Sequence, residues 1–475
     1  MPGRSATRQA RGLQWYKGAR SRTSLGERQP TGARTVSLDK RARSFGQWLV
    51  LGSVVGGVCG VASAVFLYLL DVATDVRTRH EVLVYTLPLA GLAIGALYGR
   101  WGTPIRGGNN LVLDTVHEGD KQLPPRMAPM VLVGTVLTHL FGGSAGREGT
   151  AVQMGASLAD AVAHRFRVSP ATRRELLAAG IAGGFGSVFG TPIAGTVFGL
   201  EVVCVGRMSY EALVPALVAA VVGDLVTRSL GIHHTLYPTP AALPLSPQVL
   251  GKWLVFGAVV ALVAVVFVEG VHLLKKRLEK TVPSLPLRMA LGGAVVVALW
   301  KLVGTSDYLG LGVPTIERAF VDPTLPSSAF ALKLLFTAVT LGAGFLGGEV
   351  TPLFFVGAAL GNVLARVLGL PLDLAAGVGL AALFGAAANT PLALSLMAVE
   401  LLGAGVLPHV VIVTVTAYLL TGQRGIYPAQ RIARLKHGGP LLSRLVPLRD
   451  VESPPNATSG EQPPQAPTAT REDSR

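Results

Sequence analysis

The chain has 475 residues, of which 50% are hydrophobic and only 15% charged, with a mean hydropathy of +0.50. So apolar a composition excludes an ordinary soluble domain and points to a polytopic helical membrane protein. The net charge of +15 is not a nucleic-acid signal: residues 1–44 hold eleven Lys/Arg against Glu27 and Asp39, and such a flank marks the cytoplasmic side of a membrane protein.

Residues 1–44 lack hydrophobic periodicity and read as a disordered cytoplasmic arm, with no signal-peptide core after it. Phe45–Leu70 and Val82–Tyr98 read as the first two spanning helices. Arg100 and Arg106 then flank a loop ending in Gly107-Gly108-Asn109-Asn110, followed by an apolar piece too short to span. Ala128–Phe141 leads into Gly142–Asp160, GGSAGREGTAVQMGASLAD. There Gly142, Gly143, Gly146 and Gly149 crowd Arg147 and Glu148, and a helix-forming run begins at Ala151. This is a glycine-rich entry into a helix, whose free N–H groups and partial positive charge suit an anion. Charge at membrane depth is costly and usually functional. Ile193–Val205 and Glu211–Leu230 close the first half, residues 45–230.

Residues 231–248 form a polar, Pro-rich linker. Its paired His233 and His234 read as solvent-exposed, and no metal or cofactor is expected. Val249–Leu274 is the next spanning helix and ends in KKRLEK, Lys275–Lys280, a strong inside marker. Leu287–Val303, Phe330–Leu341, Glu349–Leu368, Leu372–Ala386, Pro391–Leu402 and Val406–Leu420 complete the second half, residues 249–437. Arg424, Arg431, Arg434 and Lys436 place the C-terminus inside as well, and residues 438–475 read as a disordered tail. Cys59 and Cys204 lie in apolar helices and read as packing residues.

The two halves repeat. Gly146-Glu148-Thr150 recurs as Gly347-Glu349-Thr351, each followed by Gly-Ala-small-Leu at Gly155–Leu158 and Gly357–Leu360. Thr191-Pro192-Ile193-Ala194 and Thr390-Pro391-Leu392-Ala393 lead to Glu201 and Glu400, the Pro-to-Glu spacing being nine in both. Repeated halves with broken helices describe secondary transporters whose site lies near the bilayer midplane. The linker has few cationic residues and KKRLEK many, so each half crosses an odd number of times and the topology is inverted. Glu201 and Glu400 read as caps or bonds between helices. Glu211–Val226 and Ala381–Ile412 are candidate surfaces for a second copy.

Asn109, Asn110, Arg147, Thr150, Thr351 and Tyr427 make a donor-rich set accompanied by two carboxylates, Glu148 and Glu349. Donors bind an anion and carboxylates bind protons. A carboxylate in an anion path occupies the anion's place when ionised and vacates it when protonated.

Gly146-Arg147-Glu148-Gly149 matches a G-[KR]-E-G-P motif at four positions, and Gly347–Phe354, GGEVTPLF, aligns with a G-x-F-x-P element. On these residues the chain, over about residues 45–437, resembles the CLC family of chloride channels and anion/proton antiporters. Thr150 replaces the motif proline, and Gly108-Asn109-Asn110 replaces the family's GSGIP element. Val202 stands where chloride/proton antiporters carry an internal proton glutamate, with Glu201 beside it, and Glu349 adds a carboxylate. These departures resemble the fluoride-specific branch, which exports fluoride in exchange for protons. The resemblance implies an all-α, CLC-type inverted repeat with tilted and broken helices, forming a homodimer in the cell's inner (plasma) membrane with both termini cytoplasmic. It implies gating and proton coupling by Glu148 and Glu349, and anion binding by Asn109, Asn110, Gly146, Arg147, Gly149, Thr351 and Tyr427. The choice of fluoride rests on the resemblance. Physical chemistry agrees in direction, since a small, hard, costly-to-dehydrate anion needs close, strong donors. The alternatives are a chloride channel or chloride/proton antiporter of the same family and, remotely, an intramembrane hydrolase built on Ser144 and His139.

Overall fold

The computed structural model describes residues 38–451 apart from 120–121, 242, 439–440 and 443–444, and the side chains from residue 45 onward. The described residues from Gly46 onward form one packed unit. The arm expected over residues 1–44 lies almost wholly outside the described residues.

The first half runs through α1 (Leu38–Arg79), α2 (Val82–Tyr85), α3 (Leu87–Trp101), α4 (Asn109–Glu118), α5 (Met127–Leu140), α6 (Glu148–Arg165), α7 (Pro170–Phe189), α8 (Pro192–Glu201) and α9 (Leu213–Ser229). The second runs through α10 (Pro247–Thr281), α11 (Leu285–Val303), α12 (Val313–Val321), α13 (Ala329–Ala343), α14 (Val350–Leu368), α15 (Leu372–Ala388), α16 (Pro391–Leu402) and α17 (Leu407–Leu420). The protein is thus a predominantly helical membrane fold in which long helices alternate with short and broken ones.

Local chemistry explains most boundaries. Helix α1 continues past Leu70 to Arg79 because no Gly or Pro intervenes, and the Asp75–Arg79 pair at 2.6 Å supports its last turn. The span expected over Val82–Tyr98 breaks at Thr86, since Pro88 lacks the N–H that a continuous helix requires. Helices α7, α8, α10 and α16 all start on proline, whose missing N–H costs nothing at the first helical position.

By length and composition, five helices among the described residues suffice to cross a bilayer: Phe45–Arg79, Tyr210–Ser229, Pro247–Thr281, Leu285–Val303 and Val350–Leu368. The last is largely enclosed by protein, so its N-terminus opens inside the molecule. Around it the halves repeat one packing scheme. A Cβ on Gly155 of α6 would stand 2.2 Å from the Gly180 carbonyl oxygen of α7, and one on Gly357 of α14 would stand 2.2 Å from that of Gly379 of α15. Only glycine permits backbones this close, the means by which membrane helices pack tightly.

Three expectations change. Helix α15 is buried along its length, so within Ala381–Ile412 the stretch through Ala388 is interior and offers no surface to a second copy. A small sheet replaces the end of the helix expected over Ile193–Val205 and takes Cys204 out of it: β1 (Cys204–Val205) pairs in parallel with β2 (Arg431–Ile432), which pairs antiparallel with β3 (Val446–Pro447). The tail expected from residue 438 therefore contains a strand before the described residues end, which two-residue pairings give no periodicity to reveal.

Candidate functional site

The two glycine-rich loops meet. The Gly146 N–H donates to the Gly348 carbonyl at 2.7 Å, and the Gly348 N–H to the Gly146 carbonyl at 2.8 Å. Gly347 takes φ = +149°, and a Cβ there would lie 2.4 Å from that of Ala145, so the crossing requires glycine. The bridge engages the Gly146 amide, so this expected anion donor is tied to the partner loop.

The bridge sets α6 and α14 start to start. Glu148 opens α6, and its Oε2 accepts hydrogen bonds from the Thr351 N–H at 3.1 Å, the Thr351 hydroxyl at 2.5 Å and the Arg147 N–H at 3.2 Å. Arg147 Nε stands 3.4 Å from Oε1. Glu148 is 1% exposed and Thr351 4%. A buried ionised carboxylate costs several kcal/mol, while each hydrogen bond to a charged group returns about 1.5–3 kcal/mol. Three such donors offset the burial. The carboxylate of the first half thus occupies the N-terminus of the second half's helix, where an anion would bind.

Other expected residues gather beside it. A Cβ on Gly149 would stand 3.1 Å from Asn109 Nδ2 and 3.8 Å from Glu349 Oε2. Asn109 begins α4, and its Oδ1 is buried without a hydrogen-bond partner among the described residues. Tyr427 is 4% exposed, close enough to Glu148 and Glu349 to feel both charges. Its segment is held by Gln430, whose Nε2 donates to the carbonyls of Val202 at 2.9 Å and Ala388 at 3.2 Å. On the side of Lys275, a cavity of about 530 Å³ is lined by Arg106, Gly108, Thr150, Gln153 and Lys275, of which Gly108 and Thr150 are the chain neighbours of Asn109 and Gly149.

Asn110 goes elsewhere: its Oδ1 accepts from the Ala429 N–H at 3.0 Å. One turn on, Asp114 pairs with Arg431 at 3.3 Å and Arg449 at 3.2 Å. Asn110 therefore fastens the C-terminal segment to α4 while its neighbour Asn109 lies beside Gly149, because adjacent positions on a helix point in different directions.

The paired TP-x-A motifs resolve into mutual caps. Glu201 accepts from the N–H groups of Leu392 at 3.2 Å and Ala393 at 2.8 Å, and Glu400 from those of Ile193 at 2.9 Å and Ala194 at 2.7 Å. Each half caps the other's short helix. The hydrolase arrangement does not form. The His139 ring nitrogens lie 2.7 and 3.0 Å from the carbonyls of Thr135 and Ala145, while the Ser144 hydroxyl meets that of Thr337 at 3.0 Å.

Some polar residues carry no local motif. Lys333, fully buried, donates to the carbonyls of Tyr308 at 3.2 Å and Gly310 at 2.7 Å and so pins the loop before α12. Of the linker histidines, His233 is exposed as expected, but the His234 side chain is only 11% exposed, its Nε2 3.4 Å from Asp224 Oδ1. Linker residues Thr235 and Tyr237 border the space beside Glu148.

Comparison with known proteins matches this architecture. The family profile described as "Voltage gated chloride channel" matches residues 90–422. A "Chloride/fluoride channel protein" of Pseudomonas syringae pv. tomato is 46% identical over 401 residues, covering 83% of this chain and 88% of that protein. Among solved structures, a CLC-type fluoride/proton antiporter superposes with a TM-score of 0.80 at 36% identity, covering 84% of this chain and all of the other. A slow cyanobacterial Cl⁻/H⁺ antiporter shares the fold, with a TM-score of 0.69 at 20% identity over 79% of this chain and 94% of that one. The chain belongs to the voltage gated chloride channel (CLC) family.

Proposed function

We propose that this chain is an antiporter that exports fluoride in exchange for protons, through a path gated by Glu148. The observation that carries the reading is the Glu148 carboxylate seated on the Thr351 N–H and hydroxyl. When ionised, Glu148 holds donors that an anion needs. When protonated, it has lost the charge that seats it, releases them to the anion and carries the proton. Glu349, beside Gly149, is the second proton group, since Val202 has no proton to carry. Asn109, Gly149, Thr351 and Tyr427 surround the anion.

Support comes from the solved fluoride/proton antiporter and the relative named for both chloride and fluoride. That relative's name also favours a second reading, a channel or antiporter that passes chloride. On the proposed reading the two membrane repeats are residues 45–230 and 249–437, joined by the 231–248 linker. The protein works as a homodimer in the plasma membrane with both termini in the cytoplasm.

The test is efflux from vesicles loaded with fluoride or chloride, with voltage clamped by potassium and valinomycin and pH recorded. Fluoride efflux should drive proton uptake, and chloride should move more slowly. Glu148→Gln keeps the shape of the protonated acid without its proton, so it should abolish proton-driven fluoride movement. Undiminished coupled uptake in that variant would remove Glu148 from the mechanism. Fluoride flux without protons in the wild type would make the protein a channel, and equal chloride flux would favour the second reading. Photobleaching of labelled protein in two steps per particle is expected for the dimer, and mainly single steps would count against it.

A further inference from the structure

We propose that the path has an outer station, one small ion in size, in which the hydroxyls of Thr235 and Tyr237 and the guanidinium of Arg147 receive the anion as it leaves Glu148. This deepens the fluoride reading and rests on it.

A void of about 20 Å³ lies against Glu148 and Thr351, with Arg147, Thr235 and Tyr237 in its wall and Phe189 and Phe354 closing the apolar side. A water molecule needs about 10–15 Å³ measured this way, so the void takes one particle of that size. Fluoride is about as large as a water molecule and chloride is larger. The space therefore admits the smaller halide without moving the wall and excludes the larger unless the wall gives.

The donors are placed by the fold. The Tyr237 ring stacks on Phe320 at 5.3 Å between centroids, which fixes the ring in the wall that Tyr237 shares with Arg147 and Glu148. Arg147 Nε rests 3.4 Å from the Glu148 carboxylate. Once Glu148 is protonated, that guanidinium loses the carboxylate charge paired with it, and an anion in the void replaces that charge. Glu148 and the departing ion thus alternate on Arg147.

The linker that contributes the two hydroxyls is fastened at both ends. His234 stands 3.4 Å from Asp224, which also holds Arg228 at 2.9 Å. At the far end, the Leu243 carbonyl lies 3.0 Å from His409 Nε2. Pro238 and Pro240 fix the backbone between them. A linker held in this way is a wall of fixed bore, which is what discrimination by size requires. It lies away from the Lys275 basin, hence on the exit side for an exporter.

The test uses Thr235→Val and Tyr237→Phe, singly and together, in the full-length protein. Both keep side-chain shape, and Tyr237→Phe keeps the ring that stacks on Phe320. Vesicle fluoride efflux should fall about tenfold in the double variant, the effect of losing hydrogen bonds to a charged group. The fluoride-over-chloride ratio should fall with it. The number of protons taken up per fluoride should stay at the wild-type value, because the station lies beyond the gate, and Thr235→Ser should restore efflux to that of Tyr237→Phe alone. Efflux and ratio both within about twofold of wild type in a double variant that elutes like wild type would overturn the station. Should the double variant not elute so, Tyr237→Phe decides: a smaller loss in the same direction supports the station, and none overturns it. If the wild type moves chloride but no fluoride, the functional reading fails instead. The station is then judged separately by whether the double variant speeds or slows chloride, and no change in chloride flux overturns it.

Discussion

Thr351→Val isolates the bond on which the proposed gate depends. Valine keeps the β-branched shape that threonine presents at the start of α14, and it keeps the backbone N–H that donates to Glu148 Oε2 at 3.1 Å. Only the hydroxyl is lost, at 2.5 Å from the same oxygen. A hydrogen bond to a charged group contributes about 1.5–3 kcal/mol, and about 1.4 kcal/mol is a factor of ten. With Glu148 1% exposed and Thr351 4%, no water substitutes easily for the missing donor. The docked, ionised carboxylate should therefore lose about 10- to 150-fold relative to its own undocked form, while an anion that takes its place also meets one donor fewer. Fluoride should then enter without waiting for a proton, so the protons taken up per fluoride fall while passive efflux rises. Fluoride electrode and pH traces from voltage-clamped vesicles measure both. Thr351→Ser, which retains the hydroxyl, should couple as wild type does. Wild-type coupling and efflux in Thr351→Val would refute the idea that this bond seats the gate.

Further outcomes follow from other contacts. Asn109→Ser withdraws the amide beside Gly149 and should erode fluoride-over-chloride preference by about tenfold, read from paired efflux assays; an unchanged ratio excludes α4 as the selector. Glu349→Gln should lower the proton-to-fluoride ratio with the path still open, whereas wild-type coupling would leave Glu349 a packing residue. Glu400→Ala uncaps α8 and Glu201→Ala uncaps α16, each a loss of about 0.5–2 kcal/mol, visible as a lower melting temperature in detergent; an unchanged midpoint would mean these caps carry no stability. Gly155→Ala drives a methyl onto the Gly180 carbonyl and should destabilise by about 1–3 kcal/mol, with reduced yield of monodisperse protein. A variant as stable as wild type would show that α6 and α7 can part without cost.

Much of the protein is written locally. Hydropathy sets the helices, proline sets where several begin, and the twice-used Gly-x-Glu-x-Thr and TP-x-A patterns disclose the duplicated halves. These features survive in one dimension because each depends on neighbours a few residues away. The carboxylates and donors at Glu148, Glu349, Asn109 and Thr351 were likewise visible as polar groups where apolar ones belong. Their partners were not. Glu148 meets Thr351 across 203 positions, Glu400 meets Ile193 across 207 and Asn110 meets Ala429 across 319. The Gly146 amide faces Gly348, rather than an anion, only because two loops cross. Thr235 and Tyr237 read as ordinary linker residues in one dimension, and only the fold brings them beside Glu148. No periodicity or motif encodes contacts of that range, because they arise from how already-formed helices bury their surfaces against each other. The sequence alone determined which groups carry charge at membrane depth, and tertiary packing decided which helix end each of them occupies.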